Sequence, residues 1–129
     1  MHHVLRADEI SLRPAYPGQG SGFARCTLVD RAAGSMHMAV GLCGLDANGS
    51  VDEHVHSFEE SFYVLEGSPA LVLDGRAYRL RPGACGVVPV GVRHGWLGSE
   101  GATARWIDMC APQPRAGGAG GADTFFLGP

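Results

Sequence analysis

From Phe23 to Asp30 the chain alternates: Ala24, Cys26 and Leu28 fall on one side of an extended strand, Arg25 and Thr27 on the other. That is the period of a half-buried strand. The same period runs from Met36 to Leu45, with Met36, Met38, Val40 and Leu42 on one face and His37, Ala39, Gly41 and Cys43 on the other. Asp46-Ala47-Asn48-Gly49 then predicts a turn, Asn48 and Gly49 being suited to positive φ. Phe62 to Leu65 is apolar throughout and predicts a central strand. Leu71–Leu73 and Arg76–Leu80 flank Asp74-Gly75, the residue pair of a two-residue type I′ hairpin. Further strands are predicted over Ala84–Val90, His94–Leu97 and Thr103–Ala111, with turns between them. Glu9–Leu12 predicts a short edge strand before Arg13-Pro14, because proline cannot donate to a ladder, and Tyr16–Gly22 a loop. No stretch holds an apolar 3.6-residue period over helical length. Strands recurring at about 8–12 residues with turn chemistry between them predict an all-β sandwich or barrel.

Composition sharpens this picture. Twenty glycines are scattered between the apolar runs, which suits many tight turns. An apolar share of 45% over 129 residues suits one domain with a real core and argues against disorder. The formal charge is −3 and no basic patch stands out, so nucleic acid is not an expected partner. No apolar run is long enough to span a membrane, and the opening MHHVLRADEI has no apolar stretch, which predicts a cytoplasmic protein. Cys26, Cys43, Cys85 and Cys110 are widely spaced and predict reduced, buried strand residues, not a disulfide or zinc framework. The domain is expected over residues 1–111. Pro112 to Gly121 predicts a flexible connector, and the apolar Phe125–Leu127 beyond it predicts a segment docked on the domain or on a partner subunit, with capping of the pocket mouth as the alternative.

The chemistry concentrates in Gly49–Gly67. His54 and His56 share one face of a strand, about 6.6 Å apart along it, and Glu60 follows after a turn. Alternation turns Glu59 and Glu53 the other way. A third imidazole, His94, follows the tight turn Pro89-Val90-Gly91. Three imidazoles and a carboxylate suit a first-row divalent ion and leave coordination positions open, as a catalytic site requires.

These residues carry a family resemblance. The first motif of the cupin superfamily is a glycine, five residues, His-x-His, three or four residues, Glu, six residues and Gly. Here His54-x-His56, three residues, Glu60, six residues and Gly67 match it, while only four residues separate Gly49 from His54. The second motif is matched by Gly83, five residues, Pro89-x-Gly91, two residues and His94; the asparagine that closes it is Gly98 here. The chain resembles a cupin over about residues 36–111. The resemblance implies a double-stranded β-helix, or jelly-roll, barrel with a metal inside, held by His54, His56, Glu60 and His94. The chain also resembles one half of a two-barrel cupin of the ureidoglycine aminohydrolase kind, which implies a homodimer.

The expectation that follows is a metal-dependent enzyme acting on a small oxygenated metabolite, with Fe, Mn, Ni or Zn bound. A dioxygenase leads, because two open cis positions on the metal can hold substrate and O₂ together; no outer-sphere acid or base stands out, which weakens the isomerase and hydrolase readings. An isomerase, a hydrolase or a non-catalytic small-ligand-binding cupin are the alternatives. Phe62 and Val64 share the Glu60 face and are expected to wall the pocket. Trp96 is a candidate for stacking on substrate or for core. Either His37 or Met38 is expected to enter the pocket, and Tyr63, Arg105 and Asp108 complete the candidate list.

Overall fold

A computed structural model describes residues 2–115 and 122–128. Its strands are β1 (Arg13–Pro14), β2 (Gly20–Val29), β3 (Ala39–His56), β4 (Glu59–Glu66), β5 (Ala70–Leu73), β6 (Arg76–Arg79), β7 (Cys85–Val88), β8 (His94–Leu97), β9 (Ala104–Ala111) and β10 (Thr124–Phe126). Two 3-10 turns, Ala7–Glu9 and Arg31–Ala33, are the only helical pieces among the described residues. Among the described residues all pairings are antiparallel. The strands form one curled sheet running β6-β5-β8-β3-β9-β4-β7, with β2 and β10 joined to β3 and β1 to β2. The architecture is an all-β jelly-roll barrel.

The Asp74-Gly75 hairpin forms as its chemistry predicts, with φ of 49° and 81° and Leu73 facing Arg76. The predicted turn at Asp46–Gly49 does not separate two strands. Instead β3 runs 18 residues through it. Its first half pairs with β9 from Ala39↔Cys110 to Leu45↔Ala104, and its second half with β8 from Ser50↔Leu97 to His54↔His94. The chain bends at Asn48 (φ 59°) without freeing its backbone. Asn48 N–H donates to the Ser99 carbonyl at 3.0 Å and Gly98 N–H to the Gly49 carbonyl at 2.8 Å. With both groups satisfied in the sheet, nothing forces the strand to end. Position 49 needs glycine, since a Cβ there would collide with the Ser21 and Asp46 carbonyl oxygens.

Two further boundaries move. Glu9–Leu12 is not an edge strand: a 3-10 turn ends at Glu9, and the two-residue β1 that follows ends on Pro14. β3 starts at Ala39, so His37 and Met38 precede it, and both are exposed. The four cysteines are free thiols in β2, β3, β7 and β9; Cys85 is exposed, contrary to the expectation of burial.

Inward residues divide the barrel interior into two halves. In one, Trp96 stacks on Trp106 at 4.2 Å and Phe62 meets Trp96 edge-on at 5.4 Å, surrounded by Leu45, Val51, Val64 and Val88. Two residues along the same strands the inward side chain turns polar: Glu60 on β4, His94 on β8, Asp108 on β9. The tail joins that polar half. β10 pairs with β3 of its own chain, Thr124 opposite His56 and Phe126 opposite His54. Asp123 anchors it, accepting from Ser57 Oγ at 2.7 Å and from the Arg115 backbone and guanidinium at 2.7 Å each. The connector expected over Pro112–Gly121 lies partly outside the described residues, at 116–121.

Candidate metal centre

His54 and His56 project inward from β3 because one residue separates them, and the β3–β8 register sets His94 directly across from His54. The three rings lie 4.2–4.9 Å apart between centroids. Each ring is held from behind by its Nδ1. His54 Nδ1 lies 2.7 Å from the Asp52 carbonyl, His94 Nδ1 2.9 Å from the Val92 carbonyl and His56 Nδ1 2.9 Å from Thr124 Oγ1. A carbonyl only accepts, so His54 and His94 carry their proton on Nδ1 and turn the Nε2 lone pair inward. Phe58 stacks on His56 at 4.2 Å, and Phe126 packs on His54 at 5.0 Å.

Glu60 closes the cluster. Its Oε2 lies 3.3 Å from His94 Nε2 and 3.9 Å from His56 Nε2. Glu59 is exposed, as alternation predicts. Burial pushes His54 down to about 4 and His56 to about 2, with neighbouring imidazoles adding to each shift, so both rings are neutral. Burial raises the Glu60 carboxyl, against an opposing contribution from His94. Glu60 Oε2 and His94 Nε2 are both buried without a hydrogen-bond partner. The reason is geometric: with the His94 proton on Nδ1, an ionised Glu60 sets two acceptors facing each other at 3.3 Å. Leaving both unpaired in the interior is costly, and a shared cation satisfies both. The donor set therefore fits a divalent transition metal.

A cavity of about 450 Å³ adjoins the cluster, with Glu60 and Thr124 in its wall. Beyond Glu60 it is lined by Tyr16, Arg25, Asp108 and Cys110. Arg25 grips Asp108 side-on, Nε to Oδ2 at 2.9 Å and Nη2 to Oδ1 at 2.6 Å, and its Nη1 donates to Thr27 Oγ1 at 3.0 Å. Cys43 Sγ donates to Asp108 Oδ2 at 3.2 Å. Donor atoms of Glu60, Asp108 and Cys110 lie within 4.8 Å of one another. Tyr16 stacks on Phe23 and packs on His54 and Phe126 at 5.9 and 5.1 Å. Its hydroxyl is held well above the usual phenol range by burial and then by the charge of Glu60.

The structure brings His54, His56, Glu60 and His94 together and adds Asp108 from the candidate list. The other candidates lie away from the cluster. Trp96, Phe62 and Val64 belong to the apolar half and do not line the cavity. His37 lies outside the barrel strands, and Tyr63 and Arg105 occupy the outward positions of β4 and β9. Tyr16, Arg25 and Thr124 were not legible as site residues. The one available sign was Arg25 alternating with apolar residues on β2, which ordinarily marks a solvent face.

The family model described as "Cupin domain" matches residues 41–110. No curated protein matches significantly. Among solved structures, the polyketide cyclase RemF from Streptomyces resistomycificus is similar over 100% of this chain and 87% of its own, at 23% identity and a TM-score of 0.85. A sugar phosphate isomerase of the cupin superfamily from Silicibacter pomeroyi is similar over 87% of this chain and 77% of its own, at 26% identity and a TM-score of 0.73. A predicted oxalate decarboxylase from Thermotoga maritima is similar over 85% of this chain and 99% of its own, at 18% identity and a TM-score of 0.75.

Proposed function

Because the chain belongs to the cupin family, and because its two unpartnered acceptors face each other at 3.3 Å, we propose that it is a metal-dependent enzyme acting on a small oxygenated molecule. That pair of orphaned atoms carries the reading. His54, His56 and His94 through Nε2, with the Glu60 carboxylate, would hold Fe, Mn, Ni or Zn. Such an ion supplies Lewis-acid polarisation of a substrate carbonyl.

The side chains beside the cluster favour proton-transfer chemistry. Tyr16, kept protonated by burial, is a hydrogen-bond donor for an oxyanion that develops in the cavity. Asp108, oriented by Arg25 and Cys43, is placed to take a proton from substrate and return it. With these groups present, the absence of an outer-sphere acid or base no longer argues for oxidation. Likeness to structures named as a cyclase and an isomerase supports the same choice. The second reading is a dioxygenase, favoured by three imidazoles and one carboxylate as a donor set for Fe(II).

Loading the apoprotein with each metal, and following deuterium exchange at carbon adjacent to the carbonyl of 2-oxo acids by NMR, tests this. Exchange that needs metal but not O₂ is expected. Turnover confined to the iron form in air selects the dioxygenase. If none of the four metals binds, both readings are overturned. Binding of ligand without exchange or turnover leaves a ligand-binding cupin.

A further inference from the structure

The cavity wall opposite the metal ligands says something about the substrate. Resting on the metal-dependent reading above, we infer that the substrate carries a carboxylate remote from its metal-facing end and that Arg25 receives it, acting as a specificity-determining residue. A guanidinium has five N–H donors. Arg25 commits three of them, two to Asp108 and one to Thr27. Of the two left over, one belongs to Nη1 and one to Nη2, terminal N–H groups of the kind that a substrate carboxylate accepts from. Arg25 lines the cavity, with 22% of its side chain accessible.

The surroundings of Arg25 hold its guanidinium in one orientation. β3 places Gly41 beneath Arg25, where a Cβ would run into Nη2, Cζ and Nε of the guanidinium. Glycine inside a strand weakens it. A buried ion pair does no better for stability than apolar residues of equal volume. Both features cost the fold something, and both keep a flat, oriented guanidinium on the cavity wall. The charge balance agrees. Arg13 and Arg25 face Asp30, Glu60 and Asp108 around the cavity, and a divalent ion turns that excess of negative charge positive. Glu60 and Asp108 approach within 4.8 Å, so a short molecule reaches from the metal ligands to Arg25.

The test uses cobalt-loaded protein and matched probes whose 2-oxo acid end chelates metal: 2-oxoglutarate against 2-oxopentanoate, and 2-oxoadipate against 2-oxohexanoate. Affinities are read from the cobalt visible spectrum and by calorimetry. At least one diacid is expected to bind about tenfold or more tighter than its monoacid, the worth of a charge-assisted contact. In Arg25→Met/Asp108→Asn, which removes the two paired charges together, that preference, read as the ratio of diacid to monoacid affinity, falls to within about twofold while cobalt content is retained. Arg25→Lys, which keeps the charge and loses the fork, retains only part of the preference. No preference in the unaltered protein, or a preference that survives the double substitution, overturns the inference and leaves the metal centre standing. If neither cobalt nor any of Fe, Mn, Ni and Zn binds, the metal reading is overturned and the inference with it.

Discussion

Thr124 is the residue through which the C-terminal strand reaches the candidate metal centre. Its hydroxyl sits 2.9 Å from His56 Nδ1, and its backbone pairs opposite His56 in the β10–β3 ladder. His54 and His94 are oriented by backbone carbonyls only two residues away, Asp52 within β3 and Val92 just before β8. His56 alone depends on a side chain 68 residues distant. Thr124→Val keeps the shape and the β-branch and removes the hydrogen bond. Partners of this kind hold the ring's rotation and tautomer, and losing one weakens metal binding about 10–100-fold, or roughly 1.4–2.7 kcal/mol. Metal at saturating concentration stabilises the fold in proportion to the logarithm of its affinity. For 129 residues, the metal-induced rise in melting temperature is therefore expected to shrink by about 5–10 °C. Competition with a chromogenic chelator measures the affinity, calorimetry with and without metal measures the rise, and Thr124→Ser restores both. A Thr124→Val protein that binds metal as tightly as the unaltered one, while its metal-free form melts lower, refutes the reasoning and reduces Thr124 to a packing residue.

Three other substitutions, one of them also followed against pH, give distinct outcomes. His94→Ala is expected to abolish retention of divalent metal through purification, measured by elemental analysis, because it removes the imidazole nearest Glu60. Glu60→Gln is expected to weaken metal binding yet raise the stability of the metal-free protein at neutral pH, since it removes a buried carboxylate lacking a partner for Oε2; a fall in the urea midpoint would count against this. In that Glu60→Gln background the histidines dominate the acid side. Their folded values, about 4 for His54 and about 2 for His56, lie below the unfolded value of 6.5. The unfolded chain then binds protons the folded one refuses, so stability present above pH 6.5 is lost as pH falls toward 4. A flat urea midpoint across that window contradicts the burial of neutral rings. Trp106→Ala is expected to cost about 3–5 kcal/mol of stability while leaving metal affinity of the folded protein within about threefold, because Trp106 lies in the apolar half against Trp96; a large loss of affinity would show that the halves are not separable.

Local rules carried much of this chain into three dimensions. Period-2 alternation marked most strands, Asp74-Gly75 marked its hairpin, and His54, His56, Glu60 and His94 stood out by spacing. Alternation also chose Glu60 over Glu59. Each of these depends on residues a few positions apart, whose relation the backbone period sets before any tertiary contact forms. The Asp46–Gly49 bend shows where that reasoning stops. Its residues suit a turn, yet hydrogen bonds from the Gly98–Ser99 loop keep the strand continuous, and no local rule supplies a partner fifty residues away.

The cavity was settled at still longer range. Arg25 and Thr27 read as the water-facing side of an alternating strand, but β2 lies across β3 so that this side forms wall. Arg25 then meets Asp108, 83 residues on. Tyr16 comes from a loop, and Thr124 from a tail that the sequence predicts to dock on the domain or on a partner, with capping of the pocket mouth as the alternative. Conversely Trp96 is core because Trp106 covers it, and His37 is outside because β3 begins two residues after it. The sequence by itself determined an all-β chain with three imidazoles and a carboxylate at the spacing of one centre, since strand period and turn chemistry are local. Barrel closure decided which polar residues stand beside that centre, because cross-strand register and strand order bring together side chains whose separation along the chain carries no signal.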